Sequence, residues 1–350
     1  MTLEDLGYNS ALEEYRKEHT LDSFEIGRVL LEHKERYVVK TATQEFDAEL
    51  MGNLRFSAET RRDLPAVGDW VAFLEYDEGK ALIHAVLPRK SIIERKAVGK
   101  LGQTQIIATN IDFGLIVQSI DRDFNINRLE RYLTICNASK IEPMIILNKI
   151  DLLEQRQVEE LLLLVKERIK NAISCESQAG IDALRSKLIK GYTYCLLGSS
   201  GVGKSTLINT LAGNNLMETG EISKIIGRGK HVTSHRELIV LDNGILIDNP
   251  GMREVGITNI SDGLERTFNE ILNLSKDCKY SDCTHINENG CAVLDAIENE
   301  ELDTDLYKNY LKMEKERIHF ESDTKERKRK DKDLGKMIRN IQKQKRNSKY

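Results

Sequence analysis

The chain has 350 residues, a length that suggests two or three domains, and with 40% hydrophobic and 31% charged residues it has the ordinary composition of a soluble protein with enough apolar content for packed cores. No window approaches the ~18 apolar residues of a membrane span. The opening MTLEDLGYNSALEEYRKEHT lacks the basic start and apolar run of a secretory leader, so a cytoplasmic protein with no membrane partner is expected.

Residues 1–20 read as an N-terminal extension. Residues 21–102 carry short alternating strands with frequent turns, at Phe24–Leu31, Arg36–Thr41, Asp69–Glu75 and Ala81–Leu87. Pro65-Ala-Val-Gly68-Asp69 supplies a turn between them, and this spacing predicts a small β-barrel. From residue 103 to 256 strands and helices alternate. Ile111–Ser119, Pro143–Leu147, Tyr192–Leu197, Glu237–Leu241 and Ile245–Ile247 read as strands, and Ile126–Asn137 and Gln155–Lys170 as helices. That alternation predicts a mainly parallel sheet covered on both faces. Residues 257–324 read as helical, ending in a charged amphipathic helix over Asp305–Phe320. The tail from Lys325 to Tyr350 holds twelve Lys/Arg against three Asp/Glu, so the residues before it carry −13 of a net charge of −4. A basic tail on an acidic body calls for an anionic partner. Leu334, Met337, Ile338 and Ile341 are spaced so that one helix would carry an apolar stripe and a basic face.

The strongest local signal is Gly198-Ser199-Ser200-Gly201-Val202-Gly203-Lys204-Ser205, followed by Thr206 at the head of a helical segment. It matches the phosphate-binding loop at every fixed position, between an apolar strand and a helix. Backbone N–H groups of such a loop turn toward phosphate oxygens, and the helix start adds a favourable dipole. Lys204 is expected to reach the β- and γ-phosphates and Ser205 to ligate Mg²⁺.

Asn148-Lys149-Ile150-Asp151 ends the strand Pro143–Leu147. A carboxylate in the plane of guanine accepts from N1 and N2 together, and adenine offers no matching edge, so Asp151 is the candidate for base selection. Lys149 can lay its stem over the base, and Asn148 can tie this motif to the phosphate loop. Ser174-Cys175-Glu176, read at the end of a short strand Asn171–Ser174, resembles the Ser-Ala-Lys element whose backbone N–H contacts guanine O6; an ordinary strand end is the alternative. Asn148 precedes Gly198 by fifty residues, the reverse of the order in Ras-like proteins. The reversal keeps the sheet if old termini are joined and new ones opened, as neighbouring termini permit.

Asp248-Asn-Pro-Gly251 follows the strand Ile245–Ile247. Asp248 is placed to hold Mg²⁺ through water, and the Gly251 N–H to bond a γ-phosphate. Between the two phosphate elements, the segment from Gly227 to Arg236 is glycine-rich, basic and hydroxyl-bearing, as a first switch loop should be. Thr233 is the candidate to close on Mg²⁺, with Ser234 as its alternative. Met252 occupies the position where a Gln often orients the attacking water. His231 is then the local candidate for that task, or else a loop residue touching phosphate or RNA.

Six cysteines are present, and Cys278, Cys283 and Cys291 lie with His285 inside fourteen residues. Three thiolates and one imidazole predict a closed, structural Zn²⁺ site. Cys136, Cys175 and Cys195 stand isolated, which is no disulfide framework.

Together these motifs resemble the small-ribosomal-subunit-dependent GTPase family RsgA (YjeQ/YloQ). The resemblance runs through Pro65-x-x-Gly68-Asp69-Trp70, Asn110-x-Asp112, Arg128-x-x-Arg131-Tyr132, the phosphate and guanine motifs, Gly229-Lys-His231, Asp248-x-Pro-Gly251-Met-Arg-Glu and the Cys/His cluster. It implies an N-terminal OB-fold at 21–102, a circularly permuted α/β P-loop GTPase domain at 103–256, a zinc-binding domain at 257–324 and, beyond them, the basic tail 325–350. It implies hydrolysis of GTP to GDP and phosphate in late small-subunit maturation, stimulated by the subunit and its rRNA, with His231 and Thr233 acting through the first switch. A monomer is the expected state. The alternative is a diverged paralogue that binds RNA and ribosome under GTP control and hydrolyses very slowly.

Nucleotide choice provides a direct test. Asp151→Asn places an amide donor opposite the 2-position, so GTP binding should weaken and xanthosine triphosphate should become preferred. A binding titration with both nucleotides checks this, and equal losses for the two would remove Asp151 from the base site.

Overall fold

The computed structural model describes residues 1–33, 35–96, 104–120, 124–150, 153–169, 175–177, 180–213, 236–249 and 261–322. The chain opens with helix α1 (Ser10–Glu18), whose start is capped by Asn9 Oδ1 accepting from Leu12 N at 3.1 Å. Five strands follow: β1 (Glu25–His33), β2 (Arg36–Lys40), β3 (Glu45–Leu50), β4 (Trp70–Asp77) and β5 (Lys80–Val86), with the short helix α2 (Gly52–Ser57) after β3. They pair in the order β1-β2-β3-β5-β4, and β4 returns to β1, so the barrel is closed. Closure leaves no free edge among them. Alternate residues point inward to a core of Val29, Tyr37, Val39, Phe46, Ala48, Val71, Phe73 and Ile83. β3 lies outside the four segments expected above. Its signal is the alternation Phe46, Ala48, Leu50 among charged neighbours, short enough to pass as loop.

β6 (Ile92–Lys96) and β7 (Thr104–Thr109) form a separate two-stranded ladder. The α/β layer then runs β8 (Phe113–Ser119), α3 (Ile126–Ala138), β9 (Glu142–Asn148), α4 (Gln155–Arg168), β10 (Cys175–Ser177), α5 (Ile181–Lys187), β11 (Thr193–Leu197), α6 (Lys204–Ala212), β12 (Glu237–Leu241) and β13 (Gly244–Asp248). Its sheet order is β10-β9-β8-β11-β13-β12, parallel except for the β12–β13 hairpin. β11, fourth of these six in sequence, is central in the sheet. Apolar clusters on the two faces of the sheet, one with Ile116, Ile145, Leu197 and Ile247 and the other with Leu115, Ile146, Leu196 and Leu246, explain why these strands read as continuous apolar runs. β1 joins β12 at Leu31 and Glu237, making barrel and layer one continuous sheet.

The described residues of Met1–Glu94, Ile106–Val255 and Asp262–Thr267 form one compact unit, and those of Arg95–Gln105, Gly256–Ser261 and Phe268–Tyr350 a second. Helix α7 (Ser261–Thr267) leads into α8 (Asn269–Ser275), α9 (Ala292–Glu298) and α10 (residues 304–322). In the second unit Phe268 packs on Tyr310 with ring centroids 5.5 Å apart.

Within the first unit, the barrel is tied to the layer through polar groups. Arg28, 1% exposed, donates to Leu6 O (2.6 Å), Gly68 O (3.2 Å), Asn110 O (3.2 Å) and Thr193 Oγ1 (2.9 Å). Asp69 is gripped by Arg89 through two bonds of 2.7 and 2.6 Å and also accepts from Ala66 N at 2.8 Å. Breaking a buried pair of this kind costs about 3–5 kcal/mol. Gly68 has φ +95°, and a Cβ there would stand 2.3 Å from Thr109 O, so the turn admits only glycine. The N-terminal segment belongs to this packing: Leu6, Tyr8 and Leu12 are buried with Ile26, Trp70 and Leu87.

Candidate nucleotide and metal sites

Parallel strands bring their C-terminal ends to one edge of the sheet, where open α/β folds bind ligands. β9 ends there in Asn148, β11 runs into Gly198, and β13 ends in Asp248. The structure therefore gathers Asn148, Lys149, Ile150, the loop Gly198–Ser205 with Thr206, and Asp248. Of the other candidates, Asp151, Ser174, His231, Thr233 and Gly251 lie outside the described residues, as do Ser234 and Met252. Cys175 opens β10, its backbone opposite Ile145 of β9.

The loop is fixed by two close approaches. Asn148 Nδ2 donates to Val202 O at 2.8 Å in a buried bond. Gly203, at φ +96°, would put a Cβ 2.2 Å from that same Nδ2, so the glycine both turns the chain and makes room for the asparagine. At Gly198 a Cβ would meet Val117 O at 2.4 Å. α6 begins at Lys204 immediately after this turn, leaving its first N–H groups directed at the loop.

Lys204 is 8% exposed, and its Nζ donates to Gly198 O (2.8 Å) and Ser199 O (2.7 Å). Burial pushes its pKa down, opposed by the charge of Asp248. Burial pushes Asp248 up, opposed by Lys204 and by the Asn249 backbone. Asp248 Oδ1 is buried with no hydrogen-bond partner among the described residues, an acceptor that a hydrated cation would satisfy. Asn249, which sequence reasoning had not placed in the site, is 1% exposed and donates from Nδ2 to Cys195 Sγ at 2.9 Å. Its Oδ1 is likewise buried without a described partner. Burial raises the thiols of Cys136, to about 12, and Cys195, so both are packing groups and not nucleophiles.

The second cluster lies between α8 and α9. Cys278, Cys283, His285 and Cys291 bring their ligand atoms within 4.8 Å of one another. Cys278 Sγ stands 3.9 Å from Cys291 Sγ and 3.6 Å from His285 Nδ1, which is 3.4 Å from Cys291 Sγ. Tetrahedral bonds of about 2.3 Å to sulfur and about 2.0 Å to nitrogen give edges of about 3.8 and about 3.5 Å, so the donor set fits one tetrahedral metal ion.

Supporting groups hold the cluster. Glu288 accepts from Thr284 N (2.9 Å), Thr284 Oγ1, Ile286 N (2.9 Å) and Asn287 N (3.1 Å). These bonds hold its carboxyl well below the usual range. The Tyr307 hydroxyl donates to His285 O. Neither supporter was found from the sequence; the acid-and-hydroxyl spacing Thr284-x3-Glu288 was the available signal.

Metal removal tests the second site. Purified chain should carry one bound ion per molecule by elemental analysis. Stripping it, or Cys283→Ser, should lower the unfolding temperature of the second unit in calorimetry while nucleotide binding persists. A metal-free preparation with unchanged unfolding would refute the site.

The RsgA GTPase family model matches residues 86–258, and the model described as 50S ribosome-binding GTPase matches residues 193–347. The chain is 37% identical over 325 residues to small ribosomal subunit biogenesis GTPase RsgA 1 of Bacteroides thetaiotaomicron, across 92% of this chain and 91% of the relative. It is 40% identical over 332 residues to small ribosomal subunit biogenesis GTPase RsgA of Opitutus terrae, across 91% and 90%. Among solved structures its fold is similar to YjeQ from Thermotoga maritima, with TM-score 0.61 and 23% identity over 82% of this chain and 96% of that one. It is similar also to YloQ, a circularly permuted GTPase, with TM-score 0.59 and 23% identity over 88% and 98%. With the loop Gly198–Ser205 behind the Asn148-Lys-Ile-Asp151 motif in sequence and relatives this similar along nearly their whole length, the chain belongs to the RsgA GTPase family.

Proposed function

We propose that this protein hydrolyses GTP to GDP and phosphate during late maturation of the small ribosomal subunit, and that the subunit and its rRNA stimulate the reaction. The observation that carries the reading is the shared sheet edge on which Asn148, the loop Gly198–Ser205 and Asp248 meet, in a member of the RsgA family.

In this reading Asp151 selects guanine, Lys149 and Ile150 flank the base, and Ser174 and Cys175 contribute a backbone contact to O6. Lys204 and the backbone of Gly198 to Thr206 hold the phosphates. Mg²⁺ fits the orphaned carboxylate oxygen of Asp248 and supplies charge neutralisation at the phosphates. Ser205, Thr233 and Asp248 hold it, and Gly251 reports the γ-phosphate. His231 positions the attacking water and takes up its proton. Met252, which has no group to polarise water, favours slow turnover away from the subunit.

The ion in the Cys/His cluster is one structural Zn²⁺, on the strength of three thiolates and an imidazole closing every position. The domain boundaries proposed are 21–102 for the barrel, 103–256 for the GTPase and 257–324 for the zinc domain, with 1–20 before them. The tail 325–350 tracks rRNA phosphates through its surplus of nine positive charges. No described helix is long and apolar enough to cross a membrane; the protein works in the cytoplasm, as a monomer.

Phosphate release measured with and without small subunits tests the reading. Turnover should be slow alone and rise on adding subunits. His231→Ala should bind GTP normally and lose about 10²-fold of the stimulated rate. Turnover indifferent to subunits in the unaltered protein would overturn the proposal.

A further inference from the structure

A second pocket lies at the opposite edge of the sheet from the phosphate loop. It has a volume of about 170 Å³ and is lined by Arg28, Arg89, Lys90, Asn110, Trp70 and the start of α1, among others. Thr193, the first residue of β11, also lines it, whereas Gly198 follows the last. Five strand residues separate the two places by about 16 Å.

Its charge is unbalanced. Arg28, Arg89 and Lys90 bring three cations to the wall. Asp69 is chelated by Arg89 through both oxygens. Asp112 takes Lys90 Nζ at 2.5 Å on one oxygen and Thr193 N at 2.8 Å on the other. Arg28 is left with neutral acceptors only: three carbonyls and the Thr193 hydroxyl. Those four bonds use four of its five N–H donors. The remaining one is on Nη1, beside Gly7, which itself lines the pocket. A buried cation is ordinarily matched by an anion; Asp69 and Asp112 favour the charge of Arg28 from a distance, but both are bonded to Arg89 and Lys90 and neither lines the pocket, whose wall carries three cations and no carboxylate. Arg28 remains a cation at neutral pH, since burial pushes it down only to about 10.

The other walls suit an anion with a small body. Asn9 and Ala11 of the first turn of α1 line the opening, and the N–H groups of Ser10 and Ala11 have no acceptor within the helix. Asn9 Oδ1 is occupied by Leu12 N, so its amide N–H2 is the end free to donate. Trp70 and Pro88 supply an apolar side. Donors thus arrive from the helix start, from Arg28 of β1 and from Lys90 after β5, a set that suits an anion with several acceptor oxygens.

We propose that this pocket binds a small phosphate, free or as a monoester, which Arg28 and Lys90 hold between α1, the barrel and the α/β layer. The ligand would join three segments that polar bonds already link, at a place separate from the GTP site.

Equilibrium dialysis of labelled inorganic phosphate against the full chain tests this. The phosphate loop is first saturated with a nonhydrolysable GTP analogue and Mg²⁺, and ionic strength is held constant with sodium chloride. One saturable site per chain is expected. Ala11→Glu, which sets a carboxylate at the exposed opening, and Lys90→Gln should each weaken it about tenfold, with circular dichroism and analogue binding unchanged. Ribose 5-phosphate competing better than phosphate would assign the site to a monoester; equal competition would assign it to the free anion. Absence of saturable binding with the phosphate loop filled, or unchanged binding in both variants, would overturn the proposal.

Discussion

The carboxamide of Asn148 reaches Val202 O at 2.8 Å across fifty-four residues of sequence, and the layout of the nucleotide site depends on that bond. It fastens the end of β9 to the loop Gly198–Ser205, which in the proposed reading hold the guanine base and the phosphates. A base and a phosphate belong to one ligand, so the two recognition elements must keep a fixed separation. Gly203 serves the same contact from the other side, because any Cβ there would collide with the amide. The bond is indifferent to chain order. A permuted sequence can therefore build the same edge, provided β8, β9, β11 and β13 stay parallel and adjacent as they are.

A second constraint sets the barrel against this layer. Arg28 bonds to the N-terminal segment, to the turn before Trp70, to the loop before β8 and to the start of β11. The Asp69–Arg89 pair stiffens the same turn. These are directional bonds in a buried place, where each unmade bond is costly, so they fix an orientation that apolar contact alone would leave free to slide. The residues involved lie on the far side of the sheet from Lys204 and Asp248. Function at one edge and assembly at the other are thereby built from opposite ends of the same short strand, β11.

Much of this was legible in the sequence. The phosphate loop, the Asn148 motif and the Cys/His cluster are local patterns, and local patterns survive without knowledge of the fold. The strands of the α/β layer were legible because burial on both faces makes them continuous apolar runs. β3 was not among the expected strands, because a six-residue strand with one face in water is half charged. Arg28, Asn249 and Tyr307 were hidden for a different reason. Their partners are distant in sequence or are backbone atoms, and neither leaves a spacing to read. Asp112 stood in a motif without a task until Thr193 and Lys90 were found on its two oxygens.

The central claim is that guanine recognition and phosphate binding form one site because Asn148 joins them. Titration of GDP and GTP into Asn148→Ala, alongside its thermal unfolding, tests it most directly. Removing the amide strands the Val202 carbonyl at a cost of about 1–3 kcal/mol, so affinity should fall by about 5- to 150-fold while the protein stays folded. A folded Asn148→Ala protein that binds both nucleotides as tightly as the unaltered chain would contradict the account.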